Sequence, residues 1–242
     1  MSDAYRQAWT DSITDRDAFW GAAARAIDWV APPQRIHDAD AGWFAGGTLN
    51  TAANCLDRHV AAGRGDAPAL VYDSPVTGQV RRFTYAQLLE ESGCVGAMLK
   101  RLGVGKGDRV VIYMPMIPEA VIAMLACTRI GAAHSLVFGG FSPDALRDRI
   151  NDSACRVLVT ADGGFRRGNV VPLKQVADEA MAMAPSVRTC LVLQRTGGDV
   201  PWTPGRDVWR HDGVPGQPAD FSTVATAADE PYMIIYTSGT PG

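Results

Sequence analysis

The sequence predicts an α/β fold with a mainly parallel sheet built from βαβ units. From residue 69 onward, apolar runs of strand length alternate with segments of helical periodicity. The run at 109–114 is almost wholly apolar, which is typical of a strand covered on both faces. Because strand, helix and strand follow one another repeatedly, we expect parallel pairing with right-handed crossovers.

An N-terminal arm, residues 1–63, is predicted to be mainly helical and to pack on the main body. Thr14 or Asp15 is expected to start one helix and Asn50 another, because these side chains cap free backbone N–H groups. The stretch between the two helices is rich in Pro and Gly yet contains Trp43. We therefore expect it to lie against a larger body.

Residues 64–242 are predicted to form an incomplete α/β domain that begins with a hairpin. Thr84, with Gln87 as its reciprocal partner, and Ser142, followed by Pro143, are expected to cap two of its helices. The expected strands are 69–72 and 80–83 of the hairpin, then 109–114, 133–137, 156–160, 189–193 and 232–236. The expected helices are 85–102, 118–130, 143–152 and 172–183, and residues 196–229 are expected to form a peripheral loop packed by Trp202 and Trp209.

The composition is that of a folded globular protein without a broad charged surface. Hydrophobic residues make up 47% and charged residues 20% of the 242 residues. With 26 acidic and 23 basic residues the net charge is −3, which gives no field to attract nucleic acid or an anionic membrane. We therefore expect small-molecule partners, and neither a nucleic-acid nor a membrane partner.

The cysteines and the N-terminus favour a cytoplasmic location. The five cysteines are widely spaced and form no Cys-x-x-Cys pair, which is typical of buried thiols in a reducing compartment. The N-terminus has no basic region followed by an apolar run. Charged residues, Gly or Pro interrupt the other apolar stretches well before they reach the length of a membrane span.

The final loop carries the strongest functional signal in the sequence. An apolar strand runs into small and hydroxyl residues, so that backbone N–H groups and hydroxyls can converge on an anion. This order favours a phosphate site over a plain turn, although it lacks the lysine of a Walker loop. The predicted phosphate-binding residues are Thr237, Ser238, Gly239, Thr240 and Gly242.

A second candidate loop follows the predicted strand 133–137 and contains Phe138, Gly139, Gly140 and Phe141. The two glycines let a ligand approach the backbone, and the aromatic rings offer stacking faces for a base. The helix that follows adds the positive end of its dipole. The alternative is that both glycines serve only the turn.

A third candidate loop, residues 163–169, contains Arg166, Arg167 and Asn169 after the next predicted strand. Guanidinium groups match the oxygens of a phosphate, and the carboxyl ends of parallel strands are where ligands bind. The alternative is that these arginines are solvated surface residues.

Other catalytic patterns are not supported. The glycines at 103, 105 and 107 follow a helix and precede a strand, which is the reverse of a dinucleotide turn, so a nicotinamide oxidoreductase is disfavoured. No nucleophile elbow accompanies the dispersed histidines. These histidines are His37, His59, His134 and His211.

Four further motifs, together with the final loop, are specific enough to indicate a family. They are WFAGGTLN at 43–50, NCLDRH at 54–59, YMPMIPE at 113–119 and HSLVFGGFSP at 134–143. They resemble the short-chain acyl-CoA synthetases of the acetyl- and propionyl-CoA type. The final TSGTPG resembles the phosphate loop of the AMP-forming, adenylate-forming superfamily, although Pro241 departs from that pattern and the usual lysine segment does not follow.

The resemblance implies the N-terminal part of the large domain of an adenylate-forming enzyme. Such enzymes use ATP, CoA and Mg²⁺ to activate a short-chain carboxylate as an acyl-adenylate and transfer the acyl group to CoA. The segment YDSPVTG at 72–78 is more similar to propionyl-CoA synthetases, and residues 166–174 are more similar to the acetyl-CoA branch. Propionate is therefore favoured, with acetate next.

The resemblance also implies roles for the candidate residues. The final loop would hold the ATP phosphates, and Phe138, Gly139, Gly140 and Arg166 would hold the CoA nucleotide. Asn169 is the fifth predicted CoA-binding residue, at a position where the family often has a second positively charged side chain. In the family, the acyl pocket and the mobile lid lie beyond residue 242, so we assign no catalytic residue and expect this polypeptide alone not to catalyse adenylation. The alternative is a non-catalytic CoA- or nucleotide-binding module or a truncated gene product.

Overall fold

The computed structural model describes residues 2–40 and 42–237. Its N-terminal part contains short helices and strands, followed by wide helical turns of the π type. The helices and strands are α1 (Asp3–Thr14), α2 (Arg16–Ala24), β1 (Trp29–Ala31), β2 (His37–Asp38), β3 (Gly42–Trp43) and β4 (Thr48–Leu49), and the wide turns are Ala53–Asp57 and Val60–Arg64. Asp15 caps α2 as expected, whereas α1 was not anticipated from the sequence.

The remainder of the described chain is an alternation of strands and helices. The strands are β5 (Pro68–Ser74), β6 (Gln79–Thr84), β7 (Arg109–Met114), β8 (Ala133–Phe138), β9 (Val157–Ala161), β10 (Gly164–Arg166), β11 (Asn169–Val171), β12 (Thr189–Leu193), β13 (Asp207–Trp209), β14 (Thr226–Ala227) and β15 (Met233–Ile234). The helices are α3 (Tyr85–Arg101), α4 (Pro118–Arg129), α5 (Pro143–Ser153), α6 (Leu173–Ala182) and α7 (Arg210–Gly213). The predicted capping box of Thr84 and Gln87 is confirmed.

The main sheet confirms the α/β prediction. Within the described residues it has six strands in the order β13-β12-β9-β7-β8-β15, and every pairing is parallel. From β7 the chain moves to β8 on one side, and from β9 it moves to β12 on the other. Such a change of direction opens a crevice at the carboxyl ends of the strands, where ligands bind in α/β proteins.

Helices cover both faces of this sheet. Val110 and Ile112 of β7 pack with the apolar side chains of α3 and α4, whereas Val111 and Tyr113 pack with those of α5 and α6. Because successive residues of a strand point to opposite faces, both faces of β7 are buried. This explains why its sequence is continuously apolar instead of alternating.

The prediction of a peripheral loop at 196–229 was wrong in part. The segment includes β13, which pairs with β12 in the main sheet, as well as α7 and β14. The buried ammonium of Lys174 lies 2.9 Å from Asp207 and 2.7 Å from Asp178, and these contacts fix the segment against α6. The predicted packing of Trp202 and Trp209 is confirmed as a stacked pair with ring centroids 4.5 Å apart.

The N-terminal part is attached to the sheet domain through α4. The fully buried guanidinium of Arg129 donates to Asp57 at 2.6 and 3.2 Å. The side-chain amide of Asn50 donates to the carbonyl oxygens of Thr128, Arg129 and Val224. These contacts join segments that are far apart in sequence. The division of the chain into domains at residue 63 stays a prediction.

Candidate functional site

A cavity of about 250 Å³ lies at the carboxyl edge of the main sheet. The loops that follow β7, β8, β9 and β12 contribute to it, and the tip of the β5–β6 hairpin forms one wall. Its lining includes Tyr72, Met116, Phe138, Gly139, Arg166 and Arg195. The structure therefore brings three of the five predicted CoA-binding residues to one cavity.

The loop after β8 makes a tight turn that requires glycine. The backbone N–H of Gly140 donates to the carbonyl oxygen of Phe138 at 2.7 Å. A Cβ atom at Gly140 would lie 2.6 Å from Cε1 of Phe138 and 2.7 Å from Nη1 of Arg166. At Gly139 a Cβ atom would lie 3.1 Å from the carbonyl carbon of Met114. Both glycines thus serve the turn, and Gly140 also keeps the space beside Phe138 and Arg166 open.

Arg166 lies against Phe138. It ends β10, and its Cζ is 5.5 Å from the centroid of the Phe138 ring, where a cation is attracted by the π electrons. No carboxylate among the described residues forms an ion pair with Arg166. The ring of Phe138 is about half exposed, so a ligand could reach it.

Asn169 pairs with Arg166 across the β10–β11 hairpin, but it is not part of the cavity lining. Its side-chain amide donates to the carbonyl oxygen of Arg167 at 3.4 Å. Arg167 is exposed, which agrees with the alternative interpretation that it is a solvated surface arginine. The hairpin therefore directs Arg166, and not its two polar neighbours, to the cavity.

Arg195 is a lining residue that was not identified from the sequence. Its Nη2 donates to the hydroxyl oxygen of Tyr72 at 3.1 Å, and its Cζ lies 5.7 Å from the centroid of the Phe165 ring. It follows β12 directly after Gln194, at the same sheet edge as the predicted loops. That position after a strand was the signal that could have found it.

Asp162 fixes the loop that carries Arg195. Its carboxylate accepts the backbone N–H groups of Gly163, Arg195, Thr196 and Gly197 at distances of 2.6 to 3.0 Å. Burial acts to raise the pKa of Asp162, but the four N–H donors outweigh it and hold this pKa below its ordinary value. The ionised carboxylate therefore acts as a structural clamp on the loop after β12.

The predicted ATP-phosphate loop begins at the same edge. β15 lies beside β8 in parallel register, with Ile234 opposite Ser135. Thr237 is exposed just after this strand. The other predicted phosphate-binding residues, Ser238, Gly239, Thr240 and Gly242, and also Pro241, lie outside the described residues.

No metal centre is found among the cysteines and histidines of residues 2–40 and 42–237. In these ranges, no three His, Cys, Asp or Glu side chains are placed to hold a metal ion. All five cysteines are free thiols. Cys127, Cys155 and Cys190 are buried as expected, whereas Cys55 is exposed, which corrects its prediction as a buried thiol. Across the part of the chain that the structure describes, no helix is long and apolar enough to span a membrane.

Comparisons with known proteins agree with this arrangement. Residues 57–242 match the sequence model of the family described as "AMP-binding enzyme", and residues 5–55 match that described as "Acetyl-coenzyme A synthetase N-terminus". The chain is 48% identical to "Acetyl-coenzyme A synthetase 2" of Pseudomonas putida, over 98% of this chain and 38% of that protein. It is 51% identical to "Acetyl-coenzyme A synthetase" of Streptomyces coelicolor, over 100% of this chain and 37% of that protein.

A solved structure has the same fold. "Acetoacetyl-CoA Synthetase from Streptomyces lividans" superimposes with a TM-score of 0.86 at 27% identity, over 96% of this chain and 36% of that chain. The chain thus spans somewhat more than a third of the length of the relatives it matches. The match to the family model includes the residues that line the cavity and those of the predicted phosphate loop. Because it extends over more than half of the sequence, the chain belongs to the AMP-binding enzyme family.

Proposed function

We propose that the chain is part of an AMP-forming ligase that joins a short-chain carboxylate to CoA through an acyl-adenylate. The observation that carries this proposal is that Phe138, Gly139 and Arg166 line one cavity in a chain whose relatives are named acetyl-CoA synthetases. The resemblance of the motifs to the acetyl- and propionyl-CoA synthetases supports the same reaction.

In the proposed reaction the carboxylate oxygen attacks the α-phosphate of ATP, and the bond to the leaving pyrophosphate breaks. The CoA thiol then attacks the acyl carbon and releases AMP, which yields the thioester. Mg²⁺ bound with ATP would neutralise the phosphate charge, which is the chemistry this ion supplies in nucleotidyl transfer. Thr237, Ser238, Gly239, Thr240 and Gly242 are the proposed hydrogen-bond donors to the ATP phosphates.

The cavity is proposed to hold the nucleotide end of CoA. The exposed ring of Phe138 offers a face on which adenine can stack, and Arg166 offers a fork of donors to a phosphate. Gly140 keeps the space between them open. Asn169 is proposed as a polar neighbour of this site, beside Arg166 on the hairpin.

The acid is either acetate or propionate. The names of the relatives, which are acetyl-CoA synthetases, favour acetate. The similarity of residues 72–78 to propionyl-CoA synthetases favours propionate, and these residues form the hairpin tip beside the cavity. Measuring kcat/KM for both acids in the ligase that contains this chain would decide between them, and equal values would reject a preference for propionate.

The chain by itself is proposed to bind CoA without forming acyl-adenylate, and a reducing cytoplasm is the proposed location. Calorimetric titration with CoA tests the binding, and the release of pyrophosphate from ATP and acetate tests the adenylation. Wild-type protein should bind CoA and release no pyrophosphate. Absence of CoA binding would reject the assignment of the cavity, and CoA binding without a ligase reaction in any longer form would favour the non-catalytic binding module.

A further inference from the structure

Arg195 is a second guanidinium at the cavity, and the proposed CoA contacts do not use it. Its side chain is half-buried, and its Nε is buried without a hydrogen-bond partner. Among the described residues, its side chain contacts the neutral hydroxyl of Tyr72 and the ring of Phe165. No carboxylate in residues 2–40 or 42–237 forms an ion pair with it.

Two cations without carboxylate partners therefore line one cavity. The two fully buried cations of the described chain, by contrast, are neutralised. Arg129 pairs with Asp57, and Lys174 pairs with Asp178. For half-buried Arg195, a charge without an opposite charge beside it is unfavourable unless a ligand supplies one. Asp73 also lines the cavity, but it forms no ion pair with Arg166 or Arg195.

We propose that Arg195 contacts a phosphate group of the ligand that Arg166 binds, so that the cavity selects a nucleotide with more than one phosphate group. This inference rests on the proposed function, since it adds a binding residue to the same site. Nη1 of Arg195 makes no hydrogen bond within the described residues, so this donor is available to a phosphate oxygen.

Two neighbours hold Arg195 in position. The hydroxyl of Tyr72, on the β5–β6 hairpin, accepts from Nη2, and the carboxylate of Asp162 accepts the backbone N–H of Arg195 at 2.8 Å. Both contacts come from other parts of the chain. A guanidinium fixed in this way loses less side-chain entropy when it binds an anion. Tyr72 and Asp162 are thus positioning residues for Arg195.

The test is calorimetric titration of the whole chain with CoA, using the variants Arg195→Met, Arg195→Lys and Arg166→Met. A matched control is Arg188→Met, which removes the same charge from an exposed residue just before β12, at the opposite edge of the sheet. Thermal melting of each variant verifies that it is folded. Repeating the titration at several salt concentrations measures how much of the binding is electrostatic.

Arg195→Met is expected to weaken CoA binding by about tenfold or more and to reduce its dependence on salt, since a charge-assisted hydrogen bond is lost. The CoA affinity of Arg195→Lys should lie between those of Arg195→Met and the wild type, because lysine restores the charge but not the forked donors of the guanidinium. The CoA affinity of the control, Arg188→Met, should remain within about twofold of the wild-type value.

The outcomes separate this inference from the proposed function. If Arg166→Met weakens CoA binding and Arg195→Met does not, the inference is wrong and the proposed function stands. An equal loss in Arg188→Met would show that total charge, not position, governs binding, and would also overturn the inference. If the folded wild type binds no CoA at millimolar concentration, both the inference about Arg195 and the proposed function are wrong.

Discussion

The guanidinium of Arg149 lies over the ring of Tyr236, with Cζ 4.9 Å from the ring centroid. The same Cζ lies 4.7 Å from the centroid of Phe141. The hydroxyl of Tyr236 also donates to the carboxylate of Asp152. Burial, reinforced by the charge of Asp152, raises the pKa of Tyr236 to about 12, so the phenol stays protonated as a donor.

These contacts attach two candidate loops to one helix. Arg149 and Asp152 belong to α5, whose first turn follows the loop that contains Phe138 and Phe141. Tyr236 directly precedes Thr237, the first residue of the predicted phosphate loop. The base of that loop and the proposed CoA loop are therefore positioned by the same rigid element.

Replacing Arg149 with Met should release the base of the predicted phosphate loop. A cation–π contact contributes about 0.5 to 1 kcal/mol at a partly exposed site, so amide hydrogens near Tyr236 should exchange about two- to fivefold faster. Hydrogen exchange of the peptide that contains residues 232–237 measures this. Arg147→Met on the same helix is the control, since Arg147 pairs with Asp144 and Asp148 and is not near Tyr236 in any contact of the structure. Equal exchange rates in the two variants would contradict the prediction.

Replacing Gly140 with Ala should weaken CoA binding by about tenfold with little loss of stability. The added Cβ would collide with two side chains, Phe138 and Arg166, which can move aside but then leave their binding positions. Calorimetric titration with CoA measures the effect. Gly198→Ala is the matched control, because the nearest atom to its Cβ would be Thr196 Oγ1 at 3.9 Å. Unchanged affinity in Gly140→Ala would remove Gly140 from the binding site.

The local elements were predictable because short-range chemistry determines them. The capping box of Thr84 with Gln87 and the end of the predicted helix 118–130 ahead of Gly131, whose φ is +73°, depend on neighbours in sequence. The strand β13 was not predicted, because three residues carry little periodicity and its burial depends on the contact between Asp207 and Lys174. In such cases the tertiary partners, and not the local pattern, decide the structure.

In the candidate site, too, some residues could be predicted from local sequence and others only from tertiary contacts. Phe138, Gly140 and Arg166 stand in short motifs after strands, so the sequence alone indicated them. Arg195 acquires its position from Tyr72, which is 123 residues away, and from Asp162, which is 33 residues away. No local pattern encodes that arrangement, so it required the fold.

Replacing Asp57 with Ala should destabilise the chain by about 3 kcal/mol. The variant leaves the fully buried guanidinium of Arg129 without its carboxylate, although the 30% exposure of the Asp57 side chain lets water compensate in part. Urea unfolding followed by tryptophan fluorescence measures the change. The double variant Asp57→Leu with Arg129→Met should recover part of the loss, because it removes the unpaired charge. A single variant as stable as the wild type would show that this pair does not hold the N-terminal part in place.

His134 should make the fold sensitive to acid between about pH 6.5 and pH 4. It is 2% exposed, neither ring nitrogen has a hydrogen-bond partner among the described residues, and burial lowers its pKa from 6.5 to about 4. In this window the unfolded chain binds a proton that the folded chain does not, so stability falls as pH falls. The difference in pKa corresponds to about 3 kcal/mol.

The variant His134→Gln separates this group from the carboxylates that also titrate in acid. Its stability should decline less than that of the wild type between pH 6.5 and 4, while the two proteins should follow parallel curves above pH 7. Urea midpoints measured at each pH provide the comparison. Parallel curves throughout the acid range would mean that His134 is protonated as readily in the folded protein as in the unfolded chain, which its burial between β7 and β15 argues against.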